Sequence, residues 1–415
     1  MKHAALAFVA LFATVVNATP IRAQSATPTP SASVTYTDPI AYVGTDAKVY
    51  VTQIGKGIGT AVSISQPVIL SWSPDGQKLL ARRGSTSDLY VSKSAPSLEN
   101  IRTGSEDWMP GWSVDSQAMF VPENLDVPLD DDFRAEIHKI TLSPATDEIV
   151  VGQCLNLHQE LAGDGYSSIA SNEYYSAEIT RSFIAQTTTG FIATHSVVLG
   201  YSATGLSYVR PDCYGWQRDD VSQANLSPDR RQVIALHANK LVAVDLETGN
   251  LTPIKTQPGI NQFGWSADSK TIFYSTQMNP QVLLTDSEAD KALIRQMTGG
   301  DYAPSDFVRY TLQLWKMPAT GGPSTLILTD YGFGIGRIAG SSDGKNIVFS
   351  EILSMRALIK AINTGGDQAA ADPIPRIYSV PISGGQPQFI ADGSRFVVGS
   401  GVFTAVPFPT DYSDN

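Results

Sequence analysis

The feature that most constrains this chain is a tight turn that occurs five times. Ser71-Trp72-Ser73-Pro74-Asp75-Gly76 closes one short strand and opens the next, at Lys78-Leu79-Leu80. The pattern returns as Gly111-Trp112-Ser113-Val114-Asp115-Ser116, Asn225-Leu226-Ser227-Pro228-Asp229-Arg230, Gly264-Trp265-Ser266-Ala267-Asp268-Ser269 and Ala339-Gly340-Ser341-Ser342-Asp343-Gly344. Proline presets φ, aspartate caps its own backbone and glycine accepts a positive φ. An apolar strand follows each copy, at 118–121, 233–236, 271–274 and 346–349 in the later four. Repetition of one supersecondary unit decides the fold before any single residue does.

Each unit continues in the same order. A second apolar strand comes after the post-turn strand, as in Leu89-Tyr90-Val91-Ser92 or Leu314-Trp315-Lys316-Met317. A Gly-containing turn such as Thr320-Gly321-Gly322 and a final edge strand complete it. That is a four-stranded antiparallel meander, the unit of a β-propeller blade. The turn aspartates lie 40 residues apart from Asp75 to Asp115 and 39 apart from Asp229 to Asp268. Asp115 and Asp229 are separated by 114, so a blade without the signature is expected around 160–215, with strands near 190–194 and 206–209. The C-terminal strands at 394–398 and 402–406 lack outer partners, and the N-terminal strands at 40–63 lack an inner one. Joined, they complete a last blade and remove open sheet edges. The expected fold is therefore all-β, a propeller of seven blades closed by strands from both termini. Six blades is the alternative if 160–215 is partly loop. With 34 glycines, 25 prolines and only 17% charged residues, the composition suits many short strands and tight turns.

The pattern Trp-Ser-x-Asp-[Gly/Ser]-x-x-apolar resembles the WD40-like PD40 repeat of TolB-type propellers and of the propeller domains of prolyl-oligopeptidase-like enzymes. The resemblance covers roughly 38–408. TolB-type proteins add an N-terminal α/β domain and the oligopeptidases a C-terminal α/β-hydrolase domain. This chain is expected to be the propeller alone, so neither family's function carries over.

The expected divisions are a signal peptide at 1–23, a Ser/Thr/Pro-rich linker at 24–37, the propeller at 38–408 and a tail at 409–415. Lys2 and His3, the apolar run 4–16 and the small residues after it read as a secretory signal, cleaved after Ala18 or Ala23. That run is too short to span a bilayer. An extracytoplasmic protein, periplasmic or secreted, without membrane insertion and monomeric, is expected. Removing 1–23 takes away Lys2 and Arg22 and no acid, moving the formal charge from −11 to −13. Such a chain is repelled by phosphate backbones, which argues against nucleic acid as a partner. Cys154 and Cys213 are either a disulfide, worth roughly 4 kcal/mol for a loop of that length, or two buried thiols.

Three connections between second and third strands are longer than the fold needs. They are 124–135 with Asp126, Asp130, Asp131 and Asp132, about 275–310, and about 351–375. In a propeller these share the face opposite the Ser-Pro-Asp-Gly turns, and long connections carry function more often than short ones. Residues 287–297 have an acidic start and stop at Gly299-Gly300, predicting a helix. Ile352, Met355, Ile359 and Ile362 predict another.

The catalytic motifs are weak. Gly340-Ser341-Ser342-Asp343-Gly344 matches a nucleophile elbow in letters, but it occupies the repeated turn instead of a strand-turn-helix corner. His138, His158, His195 and His237 form no close ligand pair, and the acidic insertion lacks the spacing of a calcium loop. Gly332-Phe333-Gly334-Ile335-Gly336 precedes a strand and reads as an inter-blade connection. No catalytic residue, metal or cofactor is expected. Trp72, Trp112 and Trp265 share one repeat position and are read as packing between blades. Trp108, Tyr174, Tyr175, Tyr214, Trp216, Tyr302, Phe307 and Tyr331 are placed in connections and are the candidate partner contacts. The functional expectation is a non-catalytic scaffold that recognises a protein, peptide or glycan on the insertion-bearing face. The alternative is a propeller enzyme of lyase, glycosidase or lactonase type with its site at the central channel.

Overall fold

In a computed structural model, the repeated turn closes by the same hydrogen bonds at all five places. The Ser73 hydroxyl donates to Asp75 Oδ1 at 2.6 Å and accepts from the Lys78 amide at 2.9 Å. The Asp75 carboxylate also takes the Gln77 amide at 3.0 Å. Ser113, Ser227, Ser266 and Ser341 bond to Asp115, Asp229, Asp268 and Asp343 at 2.5–2.6 Å and receive the amide five residues on at 2.9–3.0 Å. All five serines are buried. Only a hydroxyl can give one bond and take another from that position, which is why the repeat keeps serine there.

The structure describes residues 34–46, 48–57, 59–65, 67–83, 89–93, 98–102, 111–125, 133–142, 145–157, 183–186, 191–194, 198–201, 215–218, 222–238, 240–245, 250–283, 287–298, 308–332, 334–352, 376–400 and 402–405. Their strands are β1 (Val34–Thr37), β2 (Ile40–Gly44), β3 (Lys48–Thr52) and β4 (Thr60–Ser65). The first blade is β5 (Pro67–Trp72), β6 (Lys78–Arg83), β7 (Leu89–Lys93) and β8 (Leu98–Arg102). The second is β9 (Gly111–Trp112), β10 (Ala118–Leu125), β11 (Phe133–Leu142) and β12 (Ala145–Leu157). The third, which lacks the turn signature, is β13 (Phe183–Gln186), β14 (Phe191–Thr194), β15 (Val198–Tyr201) and β16 (Gly215–Arg218). The fourth is β17 (Ser222–Leu226), β18 (Gln232–His237), β19 (Lys240–Asp245) and β20 (Leu251–Pro253). The fifth is β21 (Ile260–Trp265), β22 (Thr271–Val282), β23 (Val308–Pro318) and β24 (Thr325–Gly332), with helix α1 (Glu288–Thr298) between its middle strands. Then come β25 (Gly334–Gly340), β26 (Asn346–Ile352), β27 (Arg376–Pro381), β28 (Gln388–Val398) and β29 (Val402–Ala405).

The first five blades are four-stranded antiparallel sheets in sequence order. The sixth and the terminal set form one seven-stranded sheet, β25-β26-β27-β28-β2-β3-β4, because β28 serves both. Its first half pairs with β27, from Gln388 with Ser379 to Asp392 with Arg376. Its second half pairs with β2, from Gly393 with Gly44 to Val398 with Ile40. Antiparallel meanders of this kind, repeated along the chain, are the architecture of a β-propeller.

The core lies between sheets, not within one. Trp72, Leu79 and Ala81 of the first blade pack on Val43, Val49, Val51 and Val397 of the terminal set. Ile234 and Leu241 of the fourth meet Trp265, Ile272 and Tyr274 of the fifth. Phe273, Leu312 and Leu314 of the fifth meet Ile338, Ile347 and Phe349 of the sixth.

Several sequence expectations move. The last four residues of the stretch read as linker, 34–37, are β1, which pairs with β29 apart from the main sheets. The third strand of the third blade is β15, earlier than the expected 206–209, which lies outside the described residues. The insertion at 124–135 is partly ladder, with Asn124 opposite Ala135 and Leu125 opposite Arg134. That at 275–310 likewise begins and ends as strand, with Gln281 opposite Arg309 and Val282 opposite Val308. Cross-strand pairing extends into an insertion wherever both arms can satisfy their backbone groups. Helix α1 forms where predicted: Ser287 caps it, its hydroxyl accepting the Asp290 amide at 3.1 Å, and acidic residues sit in its first turn. Of the second predicted helix, Ile352 is instead the last residue of β26, paired with Gly334, and Met355, Ile359 and Ile362 fall outside the described residues, as do the signal, the acidic cluster at 126–132 and the tail.

Candidate functional site

On the turn face, strand ends and turns from four sheets line one cavity of about 540 Å³. Trp72 and Pro74 come from the first blade, Asn225 and Arg230 from the fourth, Trp265 and Ala267 from the fifth, Arg337 and Ser342 from the sixth, and Val398 to Ser400 from β28 onward. The fourth turn position has positive φ at every copy: Gly76 67°, Ser116 61°, Arg230 61°, Ser269 60° and Gly344 68°. Side chains at this position work backwards along the chain. Ser116 accepts the Asp75 amide of the first blade at 3.0 Å, and Ser269 the Asp229 amide of the fourth at 2.9 Å. Arg230 follows the blade that lacks the signature turn. Its Nη1 donates to the Trp112 carbonyl of the second blade at 3.0 Å. Burial pushes the Arg230 guanidinium below its ordinary value. Arg337 lies over the Phe396 ring at 5.9 Å.

The tryptophans pack between blades as expected, each buried. Trp72 Nε1 donates to Val397 O at 3.2 Å and Trp265 Nε1 to Asn225 O at 3.0 Å, in each case the inner strand of the preceding blade. Trp112 Nε1 is buried with no such bond. Ser342 sits in the turn between β25 and β26, both strands, so the elbow reading is excluded by its context.

The insertion face is described mainly at the fifth and sixth blades. β22 and β23 are 12 and 11 residues long, against six each for β18 and β19. Their extension leaves Val282 and Leu283 exposed, and Arg309 stacks at 5.3 Å over the ring of Tyr331, exposed on the adjacent β24. Helix α1, between β22 and β23 in the chain, buries Ile294. Glu351 near the end of β26 is 2% exposed, and its Oε1 has no hydrogen-bond partner. Burial, then the Asp330 carboxylate, push its carboxyl up to about 8. Arg376 opposite it donates to Asp392 at 3.2 Å.

Of the candidate contacts, Tyr331 is exposed but stands on β24, not in a connection, and Trp216 lies on β16. Trp108, Tyr174, Tyr175, Tyr214, Tyr302 and Phe307 lie outside the described residues, as do Cys213, His158 and His195. Cys154 is on β12. His138 Nδ1 meets Asp147 at 2.8 Å across β11 and β12. Among the described residues no three His, Cys, Asp or Glu side chains are grouped to hold a metal, and no helix is long and apolar enough to cross a membrane. The sequence reading missed Arg230, Arg337 and Glu351. Arg230 was legible as the one long side chain at a position otherwise Gly or Ser, whereas Glu351 carries no local signal.

No protein-family model matches the chain, and no curated protein matches its sequence. Solved structures do. TolB from Acinetobacter baumannii is 12% identical, over 88% of this chain and 67% of that one, with a TM-score of 0.43. A prolyl endopeptidase is 13% identical, over 88% and 50%, with a TM-score of 0.46. The Cps50 (Swd1) β-propeller domain of Myceliophteria thermophila is 11% identical, over 78% and 94%, with a TM-score of 0.44. The likeness is one of fold, that of TolB-like and WD40-like propellers.

Proposed function

We propose that the protein is an extracytoplasmic, non-catalytic scaffold that binds a protein, peptide or glycan on its insertion-bearing face. The observation that carries this is the extended β22–β23 hairpin. It projects the apolar pair Val282 and Leu283 into solvent, and its Arg309 stacks on the exposed Tyr331 of the neighbouring strand β24. An aromatic and an arginine fixed against each other, next to exposed apolar area, is the composition of a binding hot spot. The ring is completed by seven blades, with β28 passing from the sixth blade into the terminal one. The leader is removed after Ala18 or Ala23, and Cys154 pairs with Cys213. The mass of the alkylated, unreduced protein reports that pairing.

The channel-enzyme reading has less support. The cavity is lined by arginine, serine, asparagine, tryptophan and aliphatic side chains, whereas acid–base catalysis works through groups titrating near neutrality. The test is equilibrium binding of the full chain to peptide and glycan arrays, repeated with Tyr331→Ala and Arg309→Ala together. Loss of at least tenfold in affinity is expected for the ligand recovered, about 1.4 kcal/mol. Unchanged affinity in a folded double variant overturns the assignment of this face.

A further inference from the structure

The turn-face cavity has the makings of a second site, independent of the insertion face. Its volume of about 540 Å³ falls inside the range of small-ligand pockets, roughly 300–1,000 Å³. Two guanidinium groups line it and, among the described residues, no carboxylate does, in a chain whose acids outnumber its bases by 40 to 29. The nearby acids are engaged locally: Asp75, Asp229, Asp268 and Asp343 each accept their own turn serine. Each arginine is held in place, Arg230 by the Trp112 carbonyl and Arg337 over Phe396. Fixed cations lose little entropy on meeting an anion, and a guanidinium presents a planar fork that suits carboxylate or phosphate oxygens. The Ser342 hydroxyl oxygen, also at this wall, is shielded from water without a hydrogen-bond partner. Such an atom carries an unrecovered desolvation cost until a partner arrives.

We propose that this cavity binds a small organic anion, its carboxylate or phosphate group facing Arg230 and Arg337 and its body against Trp72 and Trp265. The positive mouth draws anions toward a molecule that otherwise repels them. Specificity is set by the turn residues that depart from the repeat. Arg230 stands where the other copies have Gly or Ser, and Ser342 where Pro74 and Pro228 stand in the first and fourth blades.

The test is calorimetric titration of the full chain with inorganic phosphate and, separately, with succinate, at constant ionic strength balanced by chloride. One-site saturable binding is expected, and the tighter probe identifies the anion as phosphate or carboxylate. Arg337→Gln should weaken it roughly tenfold or more. Ala267→Glu places an acid on an exposed small residue of the lining. It should weaken binding similarly without removing any packing, and so serves if Arg337→Gln does not fold. The paired Tyr331 and Arg309 variant should bind the anion unchanged. Failure of both probes to saturate, or unchanged affinity in the Ala267→Glu protein, overturns the proposal.

Discussion

On the turn face, five serines make the same bonds to their own aspartate and to the strand that follows, and each is buried. On the insertion face the connections share neither length nor hydrogen bonding. One extends its ladder by two pairs beyond the expected strand end, and another carries a capped helix. The charges differ in the same way. On the turn face Asp115 and Asp268 are held below the usual carboxylate value, first by the serine hydroxyl and then by a backbone amide. On the insertion face burial holds Glu351 well above it. Repetition builds a face in which each turn serine and its aspartate answer one another within the unit, and departure from repetition, at Glu351 as at Ser342, leaves groups that the unit cannot answer.

The largest test of that contrast lies within the repeat itself. Gly76 and Gly344 occupy the same turn position with φ of 67° and 68°. A Cβ at Gly76 would overlap the Ser400 carbonyl, where the terminal set meets the first blade, whereas one at Gly344 meets nothing within 4 Å. Gly344→Ala should cost only the left-handed backbone term, about 1–2 kcal/mol. Gly76→Ala adds overpacking against backbone and should cost about 2–5 kcal/mol in all. Chemical denaturation of the two variants compares them directly. Equal losses would mean that the turn alone, and not the seam with the terminal set, governs stability there.

The second test turns the opposed carboxyls against each other. Glu351 has its proton held in the folded state up to about pH 8, against an ordinary value of 4.5. Between those values the unfolded chain releases the proton and the folded chain keeps it, so stability falls as pH rises and levels off above about 8. The turn aspartates run the other way. Their folded values lie below 3.8, so their contribution is present above that pH and is lost as pH falls through the lowered value. Glu351→Gln should therefore leave the acid limb of a melting-temperature profile intact and remove the decline above pH 5. A decline that persists in the variant would place the titrating group elsewhere.

How much of this was legible follows the same division. Trp72-Ser73-Pro74-Asp75-Gly76 and its copies disclosed the turn, the strand order and the inter-blade role of the tryptophans, because each is a local pattern that recurs. Ser287 and Gly299-Gly300 disclosed α1 for the same reason. The raised carboxyl of Glu351 was invisible because it depends on burial in the folded sheet and on the Asp330 carboxylate in another sheet. The shared strand β28 was read as a shorter strand at 394–398, since nothing in Ala391-Asp392-Gly393 marks where pairing passes from β27 to β2. Arg230 stood in plain sight at a Gly/Ser position. Its reach to Trp112, in a sheet remote in sequence, depends on tertiary packing that no local pattern encodes.

The smallest effect separates the three tryptophans that the sequence makes equivalent. Trp72 and Trp265 each donate Nε1 to the preceding blade, whereas Trp112 Nε1 is buried without a bond. Replacing each by phenylalanine removes similar apolar area and, at the first two, a buried hydrogen bond worth roughly 0.5–1.5 kcal/mol. At Trp112 it also removes an orphan donor, which is a gain set against the smaller ring. Trp72→Phe and Trp265→Phe should therefore lose about 1 kcal/mol more than Trp112→Phe in urea denaturation. The Trp112 carbonyl still receives Arg230 in that variant, because backbone geometry at β9 does not depend on the indole. Equal losses at all three would show that the second blade satisfies its tryptophan as the others do, and that the repeat is more uniform than its hydrogen bonds.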